Sequence, residues 1–176
     1  MRAASILALY VLGVLLPGLA FLWVPLETEH GPLFNVGLAA GLVGFTILMV
    51  QPVLAGRFKV AERPFGFDMV IRFHQAMAVL ALVLLVAHPF LLAAGGGGWG
   101  LIFSLDMPWQ IWVGKAALVL LVVNGGISIF RESLGLGFQK WKILHDGLGL
   151  LLLAAVFVHS WVAGEDLDHP FYRVLW

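Results

Sequence analysis

The chain has 176 residues, of which 61% are hydrophobic and only 11% are charged. Soluble domains carry roughly 45–50% apolar and about 25% charged residues, so the composition predicts an integral membrane protein. The formal net charge is zero, which gives no reason to expect a nucleic-acid partner. Cysteine is absent, and this excludes disulfides, thiolate metal sites and cysteine nucleophiles.

Five apolar runs have membrane length, at about 4–25, 32–55, 67–94, 109–131 and 140–163. Because about 20 helical residues cross a bilayer, we predict an all-α transmembrane bundle with five helices. The first run is longer than the apolar part of a signal peptide and has no small-residue cleavage site, so we expect it to be retained. The stretch HPFYRVLW at 169–176 resembles the start of a sixth helix. It is either a short interfacial helix or, as we favour, a span that continues beyond this chain.

Positive charge predicts the orientation of the bundle. Arg2 precedes the first span, and Lys and Arg occupy the second and fourth connections, whereas the other connections contain six acidic residues and no Lys or Arg. The positive-inside rule then places the N-terminus in the cytoplasm, most simply in a bacterial inner membrane. The third and fifth spans should both run outward, in parallel.

Four of the six histidines lie inside predicted helices. His74 and His88 are on the third span, and His145 and His159 are on the fifth. A separation of fourteen residues gives about 21 Å of rise and only about 40° of net rotation, so each helix presents two imidazoles on nearly one face. Parallel helices then bring His74 level with His145, called here the inner pair, and His88 level with His159, the outer pair.

Two imidazoles in hydrocarbon suit haem iron better than zinc. Zinc prefers four ligands, whereas a haem macrocycle supplies four nitrogens and leaves two axial positions. Small residues between the histidines, Ala78, Ala81 and Gly149, would let a flat macrocycle approach both helices. We therefore expect two stacked b-type haems, each with two histidine ligands. The alternative for any single histidine is a helix–helix hydrogen bond or a step in a proton path.

The sequence resembles the ferric-reductase-like transmembrane domain shared by ferric reductases, NADPH oxidases and related bacterial membrane reductases. The resemblance rests on ERPFGFDMVIRFHQAMAVLALVLLVAHPFL, where a basic residue precedes the first histidine and a proline follows the second. It rests also on WKILHDGLGLLLLAAVFVHSW, with a tryptophan four residues before the histidine, and more weakly on GKAAL at the start of the fourth span. It covers the chain from about residue 35 to its end.

This resemblance implies six helices that hold two b haems, followed by a cytoplasmic domain that binds FAD and NAD(P)H. It implies that His74 and His145 ligate the inner haem iron, and His88 and His159 the outer one. No flavin or nicotinamide motif is present in the 176 residues. The donor would therefore be a further domain of the polypeptide or a partner protein.

Haem propionates are anionic, so cations are expected beside each haem. Arg72, two residues before His74, is the main candidate at the inner level, with Arg57 and Lys59 nearby. Ordinary positive-inside charge explains these three equally well. At the outer level Lys115 lies about one turn inside the fourth span, and we expect it to pair with a propionate or to attract an anionic acceptor. Snorkelling to the interface is the alternative.

The remaining polar features are assigned to the outer surface. His30 and His169 lie in outer connections and are expected to be solvated, although His169 could lie near the acceptor. The glycines at 95–98 are expected to form a flexible external loop.

Three functions fit these observations. The leading one is electron transfer from a cytoplasmic flavin or NAD(P)H donor, through two haems, to ferric iron or oxygen outside. The second is a haem-b subunit that exchanges electrons with quinone or a periplasmic protein. The third is a haem-free transporter that uses the histidines as a proton relay.

Overall fold

The computed structural model describes residues 3–23 and 31–163, and every regular element in these ranges is helical. In chain order the elements are α1 (Ala3–Trp23), α2 (Pro32–Ala55), α3 (Lys59–Phe65), α4 (Phe67–Leu92), a π-helical turn (Ala93–Gly97), α5 (Gly100–Phe103), α6 (Trp109–Ile129) and α7 (Phe138–Ala163). The expected start of a sixth span at 169–176, and both His30 and His169, lie outside the described residues. The predicted all-α class is confirmed.

Four described segments are long and apolar enough to cross a membrane: Pro32–Ala55, Phe67–Gly97, Trp109–Ile129 and Phe138–Ala163. They correspond closely to the second to fifth spans predicted from sequence. By the same measure α1 contributes a shorter apolar segment, Ala3–Leu19. Exposed leucines and valines line these helices, as expected for surfaces that face lipid rather than water. The structure therefore supports a helical membrane bundle.

The glycine-rich stretch after α4 is not the flexible loop that the sequence predicted. The helix passes through Pro89 and reaches a kink at Gly96 within the segment Ala93–Gly97, which packs on α2. A Cβ on Gly95 would collide with the backbone of Phe34, and Gly96 has a φ of 120°. Glycine is needed here for close approach and for a left-handed backbone. Tertiary packing has ordered a stretch whose composition alone indicates freedom.

The histidine-bearing helices each pack against a different neighbour. Helix α4 packs on α2, and α7 packs on α6, whereas α4 and α7 scarcely contact each other. Three glycines of α2 face α4 in reverse order, which shows that the two helices are antiparallel: Gly37 faces Leu92, Gly41 faces His88 and Gly44 faces Leu85. Small residues at such crossings let membrane helices approach closely. The two histidine-bearing helices therefore face each other from two separate helix pairs.

Candidate functional site

The structure brings the inner pair together from two different helices. The ring centroids of His74 and His145 are 6.5 Å apart, and the ring planes are inclined by 79°. Two imidazoles that bind one metal ion from opposite sides have centroids roughly 6 Å apart, because each metal–nitrogen bond is about 2 Å long. In the outer pair, His159 is close enough to act electrostatically on His88. The contact of His74 with His145 is the one expected if α4 and α7 run parallel.

The ring of His88 fills a notch in α2. Its Nδ1 is 2.8 Å from the backbone oxygen of Gly37. A Cβ on Gly41 would lie 2.7 Å from the same nitrogen, so the contact requires that position 41 has no side chain. A carbonyl oxygen only accepts hydrogen bonds, and Nδ1 must therefore carry the proton. This tautomer leaves the lone pair of Nε2 available as a ligand.

The same construction holds His159 against α6. Its Nδ1 is 2.9 Å from the backbone oxygen of Gln110. A Cβ on Gly114 would lie 2.6 Å from the Cε1 atom of the ring. On both helices the glycine follows the acceptor carbonyl by four residues, which is about one turn, so the missing side chain gives the ring access to that carbonyl. Nε2 of His159 again keeps its lone pair.

His145 is held by side chains rather than by backbone. Its Nδ1 is 3.0 Å from Oγ of Ser128, and Nε1 of Trp141 donates to the same oxygen at 3.3 Å. The Trp141 ring also stacks on the imidazole, with centroids 5.3 Å apart and planes inclined by 21°. The i, i+4 spacing of Trp141 and His145 on α7 places both rings on one face. The tryptophan noted in the sequence therefore contacts the imidazole directly.

His74 is the one ring of the four whose Nδ1 has no partner. This nitrogen is buried, and no hydrogen bond reaches it from the described residues. The backbone carbonyl of Gln51 lies near the ring but outside hydrogen-bond geometry. The preceding residue, Phe73, packs edge-on against Tyr10 at 4.9 Å. The contact of Phe73 with Tyr10 thus joins this part of α4 to α1.

An apolar layer separates the two histidine levels. Ala81 lies midway between the histidines of α4 and is fully buried, and Leu152, midway between those of α7, is 3% exposed. Both belong to one hydrophobic cluster that joins five helices, and Val156 packs in it as well. Asn124 is a buried polar side chain beside this layer, next to the small residue Gly149. The region between the levels is therefore mostly hydrocarbon.

The structure places the predicted inner cation, Arg72, away from the inner pair. Two residues on a helix are about 200° apart, so Arg72 and His74 project to different faces. Arg72 is exposed and lines a surface cleft of about 450 Å³ with residues 65–69. A different cation contacts the tryptophan beside the inner pair: the guanidinium of Arg131 lies 5.5 Å from the ring centroid of Trp141, which stacks on the imidazole of His145. Sequence reasoning used Arg131 only to orient the bundle.

Lys115 contacts the connection that precedes its own helix. Its Nζ donates to the backbone oxygen of Ser104 at 2.8 Å and lies 4.9 Å from the ring centroid of Trp112. An ammonium group has three donors, so the contact with Ser104 leaves donors for another anion. The predicted pairing with a propionate or an acceptor stays a prediction.

The donor set fits haem better than a bare metal ion. Within residues 3–23 and 31–163, no group of three or more His, Cys, Asp or Glu side chains could hold a metal ion. Zinc needs three or four protein ligands, whereas haem iron needs two axial ones. From residues 3–23 and 31–163, hydrogen bonds reach Nδ1 of His88, His145 and His159 but not Nε2. A haem would require two imidazoles with available Nε2 atoms at each level, and the Nδ1 contacts of His88, His145 and His159 fit that requirement.

Comparison with known proteins adds an independent observation. The model of the family described as "Ferric reductase like transmembrane component" matches residues 40–156. This range includes His74, His88 and His145 and ends three residues before His159. An uncharacterized protein of Archaeoglobus fulgidus is 24% identical over 145 residues, which cover 76% of this chain and 79% of that protein. No solved structure matches the chain.

Proposed function

The chain belongs to the ferric-reductase-like transmembrane family, and from this premise we propose that it carries electrons across the membrane through two bis-histidine b haems. The donor is a reduced flavin or NAD(P)H domain or protein on the cytoplasmic side. The acceptor is ferric iron or oxygen on the outer side. When bound, the haems would supply two one-electron carriers, one near each membrane surface.

One observation supports this proposal above the others. The 6.5 Å distance between the ring centroids of His74 and His145 is close to the spacing that two axial imidazoles on one iron require. The Nδ1 contacts of His88, His145 and His159 favour the tautomer that leaves Nε2 free. Such outer contacts orient a ligating histidine and make it more basic. The chain thus prepares three of the four rings for ligation.

The residues between the two histidine levels would hinder the passage of protons and ions while allowing electron transfer. Ala81 and Leu152 are buried in hydrocarbon midway between the pairs, so water and protons meet a barrier there. Electrons cross a short apolar gap more readily than ions do. Two histidines at each level also leave no open coordination position, so the acceptor would be reduced without becoming a ligand.

The proposal is tested on purified protein in detergent or nanodiscs. A reduced-minus-oxidised spectrum should show low-spin b-type bands, and a pyridine haemochrome assay should give two haems per chain. A double variant, His74→Ala with His88→Ala, should remove both haems. Asp106→Asn, in the connection between α5 and α6, should keep both haems. Wild-type protein that folds, accepts added haem at neither level and shows no b-type spectrum would rule out the proposal.

A haem-b subunit that exchanges electrons with quinone is the second candidate. The surface cleft beside Arg72 favours it, because two aromatic residues, Phe65 and Phe67, line it together with Arg72 and Asp68 at the predicted cytoplasmic end. A quinol analogue that reduces the haems when flavin and NAD(P)H donors do not would select this function. The proton relay is less well supported, since the residues midway between the histidine levels, Ala81 and Leu152, are apolar and buried.

A further inference from the structure

The hydroxyl of Ser128 is the meeting point of three polar groups beside the inner pair. Its Oγ lies 2.9 Å from the backbone oxygen of Asn124, 3.0 Å from Nδ1 of His145 and 3.3 Å from Nε1 of Trp141. A serine hydroxyl has one proton to donate and two lone pairs to accept with. Three partners therefore use its full hydrogen-bonding capacity.

The chemistry of these partners assigns the protons. The carbonyl of Asn124 only accepts, so it receives the hydroxyl proton, and the indole N–H of Trp141 only donates. The remaining lone pair of Ser128 accepts from Nδ1–H of His145. This is the arrangement that satisfies all three contacts, and it leaves Nε2 of His145 without a proton. Ser128 thus selects the ligating tautomer, as backbone carbonyls do for the outer pair.

Trp141 fixes the plane of the same imidazole. Its ring stacks on His145, with centroids 5.3 Å apart and planes inclined by 21°. The guanidinium carbon of Arg131 lies 5.5 Å from the centroid of the same Trp141 ring. Its N–H meanwhile holds Ser128 in place. The imidazole of His145 is therefore constrained at one edge and on one face. This orientation makes an angle of 79° with the ring of His74.

We propose that Ser128, held by Trp141, positions His145 and sets the reduction potential of the inner haem separately from that of the outer haem. The inference rests on the proposed function, because it concerns a ligand of the proposed haem. Ser128 itself does not ligate. By accepting from Nδ1–H it makes the imidazole a stronger donor to the iron, which favours the ferric form.

The test compares Ser128→Ala with Ser128→Thr, which keeps the hydroxyl. Thr46→Val is the matched control, since the Thr46 hydroxyl also bonds to the carbonyl four residues before it, Leu42, and among the described residues it has no hydrogen bond to a histidine. Each variant is measured by haem content, redox titration and EPR of the oxidised protein. The variant His88→Ala, which should keep the inner haem, assigns the two midpoints.

Ser128→Ala should raise the inner midpoint and leave the outer one unchanged. The ferric-to-ferrous ratio at a fixed potential should change by up to about tenfold, because the change is limited to what one neutral hydrogen bond contributes. The inner EPR signal should also change, because a released imidazole can turn and nearly perpendicular axial planes give a more anisotropic signal than parallel ones. Ser128→Thr should keep the inner midpoint and the inner EPR signal at their wild-type values. Trp141→Phe should raise the inner midpoint by less than Ser128→Ala does.

The outcomes separate this inference from the proposed function. If Ser128→Ala loses the inner haem but Ser128→Thr keeps it, the hydroxyl is again shown to position the ligand. Unchanged midpoint and EPR in Ser128→Ala, equal shifts of both haems, or the same shift in Thr46→Val would overturn the inference. Wild-type protein with no b-type haem would instead overturn the proposed function.

Discussion

The two histidine pairs are held in different ways, although α4 and α7 both separate an inner from an outer histidine by fourteen residues. The outer rings contact backbone carbonyls, Gly37 for His88 and Gln110 for His159, through notches left by glycine. The inner ring of His145 instead contacts a hydroxyl and an indole, and no described residue meets Nδ1 of His74 with hydrogen-bond geometry. A backbone contact is fixed by the helix packing itself. A side-chain contact can be changed by one substitution without moving a helix.

Loss of an outer ligand should have the largest effect. His88→Ala or His159→Ala is expected to remove the outer haem and leave reduction of the inner haem by the cytoplasmic donor largely intact, because each ring serves one level. The haem content should fall to about half, measured by pyridine haemochrome. If His88→Ala removed the same haem as His74→Ala or His145→Ala, the pairing would be wrong.

Filling a glycine notch should damage the outer level more than the inner one. In Gly114→Ala the new methyl group would lie 2.6 Å from the ring of His159, and overpacking of this kind costs about 1–3 kcal/mol. We expect a lower midpoint of thermal unfolding and less outer haem. Gly126→Ala on the same helix is the control, because a Cβ there meets no atom within 4 Å. Equal effects of the two variants would show that the notch is not specific.

Removal of the outer cation should have an intermediate effect. Lys115→Met is expected to keep both haems but to lower the outer midpoint, since a nearby positive charge favours the added electron. Transfer to an anionic acceptor should slow more than transfer to a neutral one. Lys140→Met, at the opposite end of the bundle, should leave the outer midpoint unchanged. Unaltered midpoints and kinetics in Lys115→Met would limit this residue to its contact with Ser104.

The smallest effects are expected from substitutions of the two candidate cations of the inner level, Arg131 and Arg72. Arg131→Gln should lower the inner midpoint slightly, because its guanidinium lies over the indole that stacks on His145. Arg72→Gln should change it less, since Arg72 is exposed and salt screens exposed charges over about 10 Å. Redox titrations at low and high ionic strength measure both. A larger shift of the inner midpoint in Arg72→Gln than in Arg131→Gln would support the sequence-based prediction that Arg72 is the cation beside the inner haem.

The sequence by itself determined the helices and the levels of the histidines. Long apolar runs specify helices in lipid, because backbone groups there must bond within the segment, and the bounds of α2 and α7 were predicted closely. A spacing of fourteen residues places two imidazoles on one face through helix geometry alone. The alternation of Lys and Arg between connections predicted that α4 and α7 are parallel, and the contact of His74 with His145 agrees.

Only the tertiary structure decided what holds each ring. The acceptor carbonyls of the outer histidines are 51 and 49 residues away in the chain, and no local pattern specifies how neighbouring helices rotate against each other. The spacing of Gly37, Gly41 and Gly44 indicates a close helix contact, but not that His88 is the side chain it admits. Ser128 was missed for the same reason, since a lone serine in an apolar helix gains its role only when α6 packs on α7. The number of residues between two side chains fixes their relative position along a helix. The packing of the helices decides which neighbours each side chain contacts.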